Sequence, residues 1–507
     1  MTEENFFATL KSAFTPALDR PFLTLSGPTV TGGESRTYGE IDRLSAQIAG
    51  ALRALGARRG DRIAVQVEKS PENVALYLAA LRAGLVYLPL NTAYTADEIG
   101  YFIADAEPAI FVCDPAREGA APRGPKVLTL GPDGAGTLID SAQKAPPLDG
   151  VAPCHDDDLA VILYTSGTTG RSKGAMLTHR NLRSNAQALH KLWGFQPGDV
   201  LLHALPIFHI HGLFVALHTA MLNASEVLFL PKFDVTDVRA AMARASVMMG
   251  VPTFYTRLLA TPEFSRAECK NMRLFISGSA PLTAETFKEF EQRTGMKILE
   301  RYGMSEAGMI ASNPLDGARI AGTVGYALPG VEIRVTGDGE PLAAGAPGAV
   351  EVRGANVFAG YWRMPEKTAE EFRDGGWFST GDVGFLSGDG RLTLSGRAKD
   401  LVIVGGYNVY PKEIEEILDA LPGVGESAVI GVPHPDMGEG VIAVIVAEPG
   451  AARPDDAALA GAVSALARFK QPRKFVFVDA LPRNAMGKVQ KQALREQFAD
   501  SFTRQAV

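Results

Sequence analysis

The run Tyr164-Thr165-Ser166-Gly167-Thr168-Thr169-Gly170-Arg171-Ser172-Lys173-Gly174 gathers hydroxyls, glycines and a lysine into one short stretch. Glycine lets backbone amides approach a ligand closely, hydroxyls add donors, and an ammonium adds a point charge. Those are the parts needed to hold a polyphosphate. The spacing is not that of the kinase and GTPase phosphate loop, where Gly stands directly before Lys and Ser or Thr directly after it. Here Arg171 and Ser172 separate Gly170 from Lys173, and Gly174 follows. A flexible surface linker has the same composition. The apolar residues 159–163 predict a buried strand ahead of the run. Thr178-His179-Arg180-Asn181 then opens a helical pattern that continues to Trp193.

Glu300-Arg301-Tyr302-Gly303-Met304-Ser305-Glu306 follows a predicted strand at 298–300. Ligands of α/β sheets bind beyond the carboxyl ends of strands, so this motif and the Thr165 run can face one site. Glu306 is a hard oxygen ligand suited to Mg²⁺, which takes few carboxylates besides substrate phosphates. Tyr302 offers an aromatic face to a base. The bland alternative is a helix-capping serine and a surface glutamate. Asp382, after Ser379-Thr380-Gly381, can accept bonds from two ribose hydroxyls, although Gly-Asp is also common in turns. Lys488 stands in Leu481-Pro482-Arg483-Asn484-Ala485-Met486-Gly487-Lys488, a loop bounded by Pro and Gly and unlike a regular charged face.

These residues need elements to hold them. Residues 36–90 alternate helix and strand signals: a helix from Thr37 to Leu55, a strand at 62–67, a helix from Ser70 through Arg82 with Pro71 at its first turn, and a strand at 86–90. Residues 159–303 repeat the alternation, with strands expected at 200–205, 226–230, 247–250, 274–276 and 298–300. Such βα alternation implies a mostly parallel sheet flanked by helices. From about Thr323, Gly and Pro become dense among short β-like runs at 331–335 and 349–353, which predicts a β-rich subdomain. Beyond Arg397 a smaller α+β unit is expected: strands at 401–404, 427–431, 440–446 and 474–478, and helices at 412–421 and 456–467. The expected fold is α/β. A large N-terminal domain, 1–398, of packed α/β subdomains plus the β-rich subdomain precedes a small mobile α+β C-terminal domain, 399–507.

Bulk properties narrow the classes. With 507 residues the chain exceeds one ordinary core. Apolar residues are 46% and charged residues 21%, a globular balance. Net charge is −7, from 50 basic and 57 acidic residues, which argues against a general nucleic-acid binder. Cys113, Cys154 and Cys269 show neither metal spacing nor a disulfide framework, which suits a reducing cytoplasm. The N-terminal residues lack a signal peptide's basic start and apolar core. A cytoplasmic enzyme without membrane association is the expectation.

The Thr165 run closely resembles the signature loop of the acyl-adenylate-forming superfamily, which includes acyl-CoA synthetases, peptide-synthetase adenylation domains and luciferases. Further motifs match in order and spacing, and the resemblance spans nearly the whole chain. It implies ATP, Mg²⁺ and coenzyme A. It assigns ATP binding to Thr165, Ser166, Gly167, Thr168, Thr169, Lys173, Ser279, Tyr302, Gly303 and Ser305, gives Asp382 the ribose with Arg397 nearby, and gives the metal to Glu306 and Thr165. Lys488 would stabilise charge on the attacking carboxylate and the α-phosphate together, chiefly in the first half-reaction. The matching lysine is acetylated in some relatives, so a protein acetyltransferase acting on Lys488 is an expected partner; acetylation would remove the charge. The small domain would then swing about Lys399, and Gly405 and Gly406 would line the pantetheine tunnel. Lys470, Arg473, Lys474 and Lys491 suit CoA phosphates or a solvated face equally well.

The resemblance puts the residue before Tyr302 near the acyl pocket. A buried arginine there needs an anion, and a guanidinium holds a carboxylate in two parallel bonds. Arg301 therefore points to a substrate with a second carboxylate, unless it pairs with a protein carboxylate such as Glu300. Ser277 and Ser279 can add hydroxyls, and Arg257 is a weaker cationic candidate. Phe208-His209-Ile210-His211-Gly212 suggests a metal only weakly, for want of a third ligand. A pocket wall is expected, with His209 gating access or touching the acid. Together these stretches resemble malonyl-CoA synthetases most. The expectation is a malonate–CoA ligase, also accepting methylmalonate, with a ligase for another short- or medium-chain acid as the alternative. A luciferase-like oxidoreductase, a peptide-synthetase adenylation domain and a non-catalytic nucleotide sensor are the other classes this architecture serves.

Overall fold

Two antiparallel strands, Leu159–Thr165 and Lys173–Thr178, stand on either side of the Thr165 run and pair as far as Thr165 and Lys173. Thr178 ends the second strand and starts a helix. Its side chain accepts from the Asn181 amide while Asn181 accepts from the Thr178 amide, a reciprocal cap over His179–Leu192. The same Asn181 side chain donates to the carbonyls of Ala355 and Val357, which ties the helix start to the β-rich region. The computed structural model describes residues 5–25, 34–165, 172–405, 407–435, 437–484 and 487–502. Ser166, Gly167, Thr168, Thr169 and Gly406 lie outside the described residues.

Among the described residues the fold is α/β. One sheet has six strands, in the order 126–129, 110–113, 62–66, 86–89, 159–165, 173–178; all are parallel except the last pair. A second sheet has nine, with a parallel centre of 274–277, 247–250, 200–203 and 226–229. Helices such as Pro71–Ala83, whose residues are almost all buried, fill the space against these sheets. Ser70 caps this helix, Pro71 sits in its first turn and Gly84 closes it in the left-handed conformation. An antiparallel sheet, with strands Val331–Gly337, Gly348–Gly354, Trp377–Leu386 and Leu392–Arg397, follows. Residues from Phe6 to Leu392 share one large apolar cluster. A small C-terminal domain holds two clusters of its own, around Val402–Val463 and Ala428–Leu494, on a separate five-stranded sheet.

The structure corrects some expected elements. The Glu300–Glu306 motif does not simply follow a strand: the strand itself is Leu299–Met304 and pairs antiparallel with Gly308–Ser312. Gly303 sits at a bulge, where a Cβ would lie 2.4 Å from the Gly308 carbonyl oxygen. Asp382 lies within the strand Trp377–Leu386 and not after a turn; Gly381, at φ +70°, supplies only a local irregularity. The helix expected over 456–467 ends at Ala462. No helix among the described residues is long and apolar enough to cross a membrane.

Candidate active site

Side chains alternate across a strand, and the Leu299–Met304 strand uses this to divide the cleft. Tyr302 goes one way. Its hydroxyl donates to Asp382, and the Arg397 Nε lies 2.8 Å from the other Asp382 oxygen. Asp382 and Arg397 are register partners on adjacent strands, so this pair is fixed by the β-rich sheet. Burial raises the Asp382 pKa, and Arg397 and the Tyr302 hydroxyl oppose the rise. Arg397 also donates to the Thr380 carbonyl.

Glu306, just past the strand, is 7% exposed. Its backbone carbonyl accepts from the Phe358 amide at 2.7 Å, and the Tyr361 hydroxyl donates to its carboxylate at 3.2 Å. Lys173 stands over the Tyr361 ring at 4.3 Å, with Glu371 at 3.9 Å. Burial pushes the Glu306 pKa up, while Tyr361, Arg397 and Lys173 pull it back. A desolvated carboxylate of this kind suits a divalent cation. The Thr165 hydroxyl donates to the Lys173 carbonyl at 3.4 Å, a long contact that a ligand can replace. Ser305 is half-buried beside Glu306.

Arg301 goes the other way. It is 3% exposed, and its Nε and Nη2 have no hydrogen-bond partner. Its guanidinium lies flat against Gly278, where a Cβ would fall 2.5 Å from Cζ. Ser279, at φ +73°, lies 3.3 Å from His211 Nδ1 and adds a hydroxyl beside this group. Ser277, expected to do the same, is the register partner of Glu300 and so shares the face opposite Arg301, where it is fully buried with an unpartnered hydroxyl. His209 Nδ1 and His211 Nε2 are also unpartnered. Burial, then Lys488 and Arg301, push the His209 pKa down to about 4; His211 is lowered by burial and Arg301. Both imidazoles are therefore neutral near pH 7. Burial lowers the Arg301 pKa to about 9, which leaves the guanidinium charged there.

Glu300 is not the partner of Arg301. It occupies the opposite face of the strand, accepts from the Leu282 amide at 3.2 Å, and is pushed up to about 7 by burial. Arg257 is exposed on the helix Pro252–Leu259, 6.0 Å from the centre of the Phe233 ring, and is not joined to the Arg301 group.

Lys488 comes to both groups from the small domain. Around its turn the Asn484 side chain accepts from the Lys488 amide at 3.0 Å, and Gly487 takes φ +74°. A Cβ on Gly487 would lie 3.7 Å from Thr253, so the turn rests on the large domain. The Lys488 side chain keeps contact with solvent while the cleft crowds it with protein. That desolvation, then Arg397, lowers its pKa; Asp382 and Glu306 oppose this, and Arg301 adds to it. The ammonium thus feels both faces of the cleft. Lys399 sits in the turn Ala398–Asp400, next to the Asp400–Arg495 ion pair at 2.6 Å. Gly405 donates its amide to the Met437 carbonyl, on a hairpin that leaves Ile403 50% and Tyr407 62% exposed. Lys470 and Lys491 are paired with Glu413 and Glu415.

Tyr361 and His211 were not singled out as site residues by the sequence. Tyr361 enters through a bridge between Ala175 and Tyr361, a contact that local pattern cannot reveal. No group of three or more His, Cys, Asp or Glu that could hold a metal occurs among the described residues.

Residues 12–362 match the AMP-binding enzyme family, and residues 413–488 match the AMP-binding enzyme C-terminal domain. The chain belongs to this family. A crystal structure of ATP-bound MatB from Rhodopseudomonas palustris matches it with a TM-score of 0.94 and 53% identity, covering 99% of this chain and 100% of that one. Malonate–CoA ligase from Arabidopsis thaliana is 35% identical over 490 residues, 87% of this chain and 78% of the relative. Feruloyl-CoA synthase from an Amycolatopsis species is 36% identical over 477 residues, 92% of this chain and 95% of the relative. The chain is an acid–thiol ligase of the adenylate-forming, AMP-producing kind. Its relatives act on unlike acids, so the identity of its acid must be argued from the cleft.

Proposed function

We propose that the protein is an ATP-dependent malonate–CoA ligase that also accepts methylmalonate. The observation that carries this reading is Arg301: a buried guanidinium with two unpartnered nitrogens, near Ser279 and neutral His209 and His211. An uncompensated buried charge costs several kcal/mol, and a carboxylate from the substrate removes that cost. Neutral imidazoles add donors without adding a second cation, which suits one extra carboxylate and not a larger polyanion. The relation to the Arabidopsis malonate–CoA ligase points the same way.

In the first half-reaction one malonate carboxylate attacks the α-phosphorus of ATP and pyrophosphate leaves. The other carboxylate stays on Arg301. Lys488, charged and facing both groups, stabilises the negative charge that builds up between them. Asp382 holds the ribose hydroxyls, Tyr302 supports the adenine, and Lys173 with the hydroxyls of the Thr165 loop, Ser166, Thr168 and Thr169 included, meets the phosphates. Glu306 with Thr165 would hold Mg²⁺, which supplies charge neutralisation on the phosphates. In the second half-reaction the CoA thiolate attacks the acyl carbon, malonyl-CoA forms, and AMP leaves. Residues 399–507 turn about Lys399 between the two steps, taking Lys488 out and bringing the Gly405 hairpin in. Exposed Ile403 and Tyr407 on that hairpin fit a face that is covered in only one of the two arrangements. Acetylation of Lys488 would block the first step.

AMP release from ATP and CoA is the test, read with acetate, butyrate, malonate, methylmalonate, succinate and benzoate. Malonate is expected to be used best. Faster turnover of a monoacid would leave the ligase chemistry intact and overturn the substrate.

A further inference from the structure

His209 and His211 stand on a turn whose shape is fixed from a distance. The turn leads from the strand Val200–His203 into the π-helical segment His211–Leu217, a form that needs a local cause. Gly212 packs so tightly that a Cβ would fall 2.0 Å from the Pro206 carbonyl oxygen. The Gly212 carbonyl lies 3.0 Å from His203 Nε2, and His203 is 1% exposed. On the far side of that ring, His203 Nδ1 lies 2.8 Å from Lys69 Nζ. Lys69 comes from the other α/β sheet, just beyond the strand Arg62–Gln66. Its ammonium also donates to the His203 and Leu230 carbonyls, at 3.0 and 2.5 Å, and lies 4.3 Å from the centre of the Phe229 ring. No carboxylate pairs with it among the described residues.

We propose that Lys69 is a positioning residue for the acid pocket, acting through the tautomer of His203 on the turn that carries His209 and His211. Burial pushes the Lys69 pKa well down, but Nζ faces two carbonyls and the ring nitrogen opposite the acceptor-only Gly212 carbonyl, three places that call for three N–H groups and so for the ammonium. An ammonium only donates, so it fixes Nδ1 of His203 as the acceptor. The ring proton must then sit on Nε2, where it donates to the Gly212 carbonyl. Without Lys69 the ring can take the other tautomer, which turns a lone pair toward that carbonyl and loosens the turn. His211 then loses its register with Ser279, and the wall beside Arg301 opens. A methionine would fill the Lys69 position without burying a charge, so packing alone does not account for a lysine.

This inference rests on reading the Arg301 group as the acid pocket. Its test is the separation of two Michaelis constants in Lys69→Met, Lys69→Arg, His203→Gln and the Lys69→Met/His203→Gln pair, each with its melting temperature. Lys69→Met is expected to raise the KM for the acid about tenfold and to move the KM for ATP less than twofold. Lys69→Arg, which keeps a donor, is expected to recover most of the loss. The double variant is expected to be no worse than the worse single one, because both act through one chain of contacts. Equal changes in both constants, an unchanged acid KM in a folded variant, or strict additivity would overturn the inference. If Lys69→Met does not fold, Lys69→Arg and His203→Gln still decide it: an acid KM that moves no more than the ATP KM in His203→Gln sinks it. The constants are read with whichever acid the wild type prefers, so a failure of malonate as substrate and a failure of Lys69 give different results.

Discussion

The two faces of the Leu299–Met304 strand treat their polar groups in opposite ways. On the face proposed for the nucleotide, Tyr302, Asp382 and Arg397 hold one another, and Glu306, Tyr361, Lys173 and Glu371 form a second interlocked set. On the face proposed for the acid, Arg301 Nε and Nη2, His209 Nδ1 and His211 Nε2 hold nothing. A paired set exchanges existing contacts when its ligand arrives, so the net gain per contact is small. An unpaired, buried set gains the full value of each contact it makes and rejects a ligand that cannot make them. The first arrangement suits a common nucleotide present in excess; the second suits choosing among acids.

This contrast is broken most strongly by removing the charge that spans it. Lys488→Ala is expected to lower ATP–pyrophosphate exchange by about 10²–10³, while thioester formation from preformed acyl-adenylate stays within a few-fold. Equal loss in both half-reactions would assign Lys488 to the fold and not to the first step. In the wild type the charge on Lys488 is present below its pKa and lost above it. Because that pKa is lowered, the exchange rate is expected to decline on the alkaline side earlier than an ordinary lysine would allow, and the pH profile of exchange reads this directly.

Arg301→Ala comes next. Bonds to a charged group contribute roughly 1.5–3 kcal/mol each, so malonate kcat/KM is expected to fall about a hundredfold, with ATP affinity little changed. Steady-state kinetics with each substrate varied in turn shows whether the loss stays on the acid side. Tyr302→Phe probes the paired side and is expected to move the ATP KM by less than about fivefold, because one hydroxyl contact contributes about 1 kcal/mol. A loss as large as that of Arg301→Ala would erase the contrast.

The smallest effect concerns stability. Burial raises the Glu300 pKa from 4.5 to about 7. The folded state therefore keeps a proton that the unfolded chain releases, so stability falls as pH rises from about 4.5 to 7 and stays lowered above. Glu300→Gln, which keeps the acceptor for the Leu282 amide, is expected to melt slightly higher than wild type at pH 8, with the gap closing toward pH 4.5. Thermal melting at the two pH values checks it.

Much of this was legible in the chain. The βα alternation, the glycine-rich run and the Arg301-Tyr302 pair each have a local signature, and the strand at 247–250 falls where its pattern puts it. The contacts that make the faces differ do not have such signatures. Tyr302 meets Asp382 across 80 positions and Lys69 meets His203 across 134. Such contacts depend on how sheets are stacked, which no residue window contains. Asp382 is the opposite case: the local turn signal of Gly381-Asp382 was present, and pairing with the strand Leu392–Arg397 overrode it.

Gly278 constrains how this specificity can change over time. With Arg301 lying where it does, an alanine at 278 would put its Cβ 2.5 Å from the guanidinium carbon, so the side chain at 301 has to move aside before residue 278 can grow. The cost of enlarging 278 therefore depends on what stands at 301, and substitutions at the two positions are expected to be non-additive.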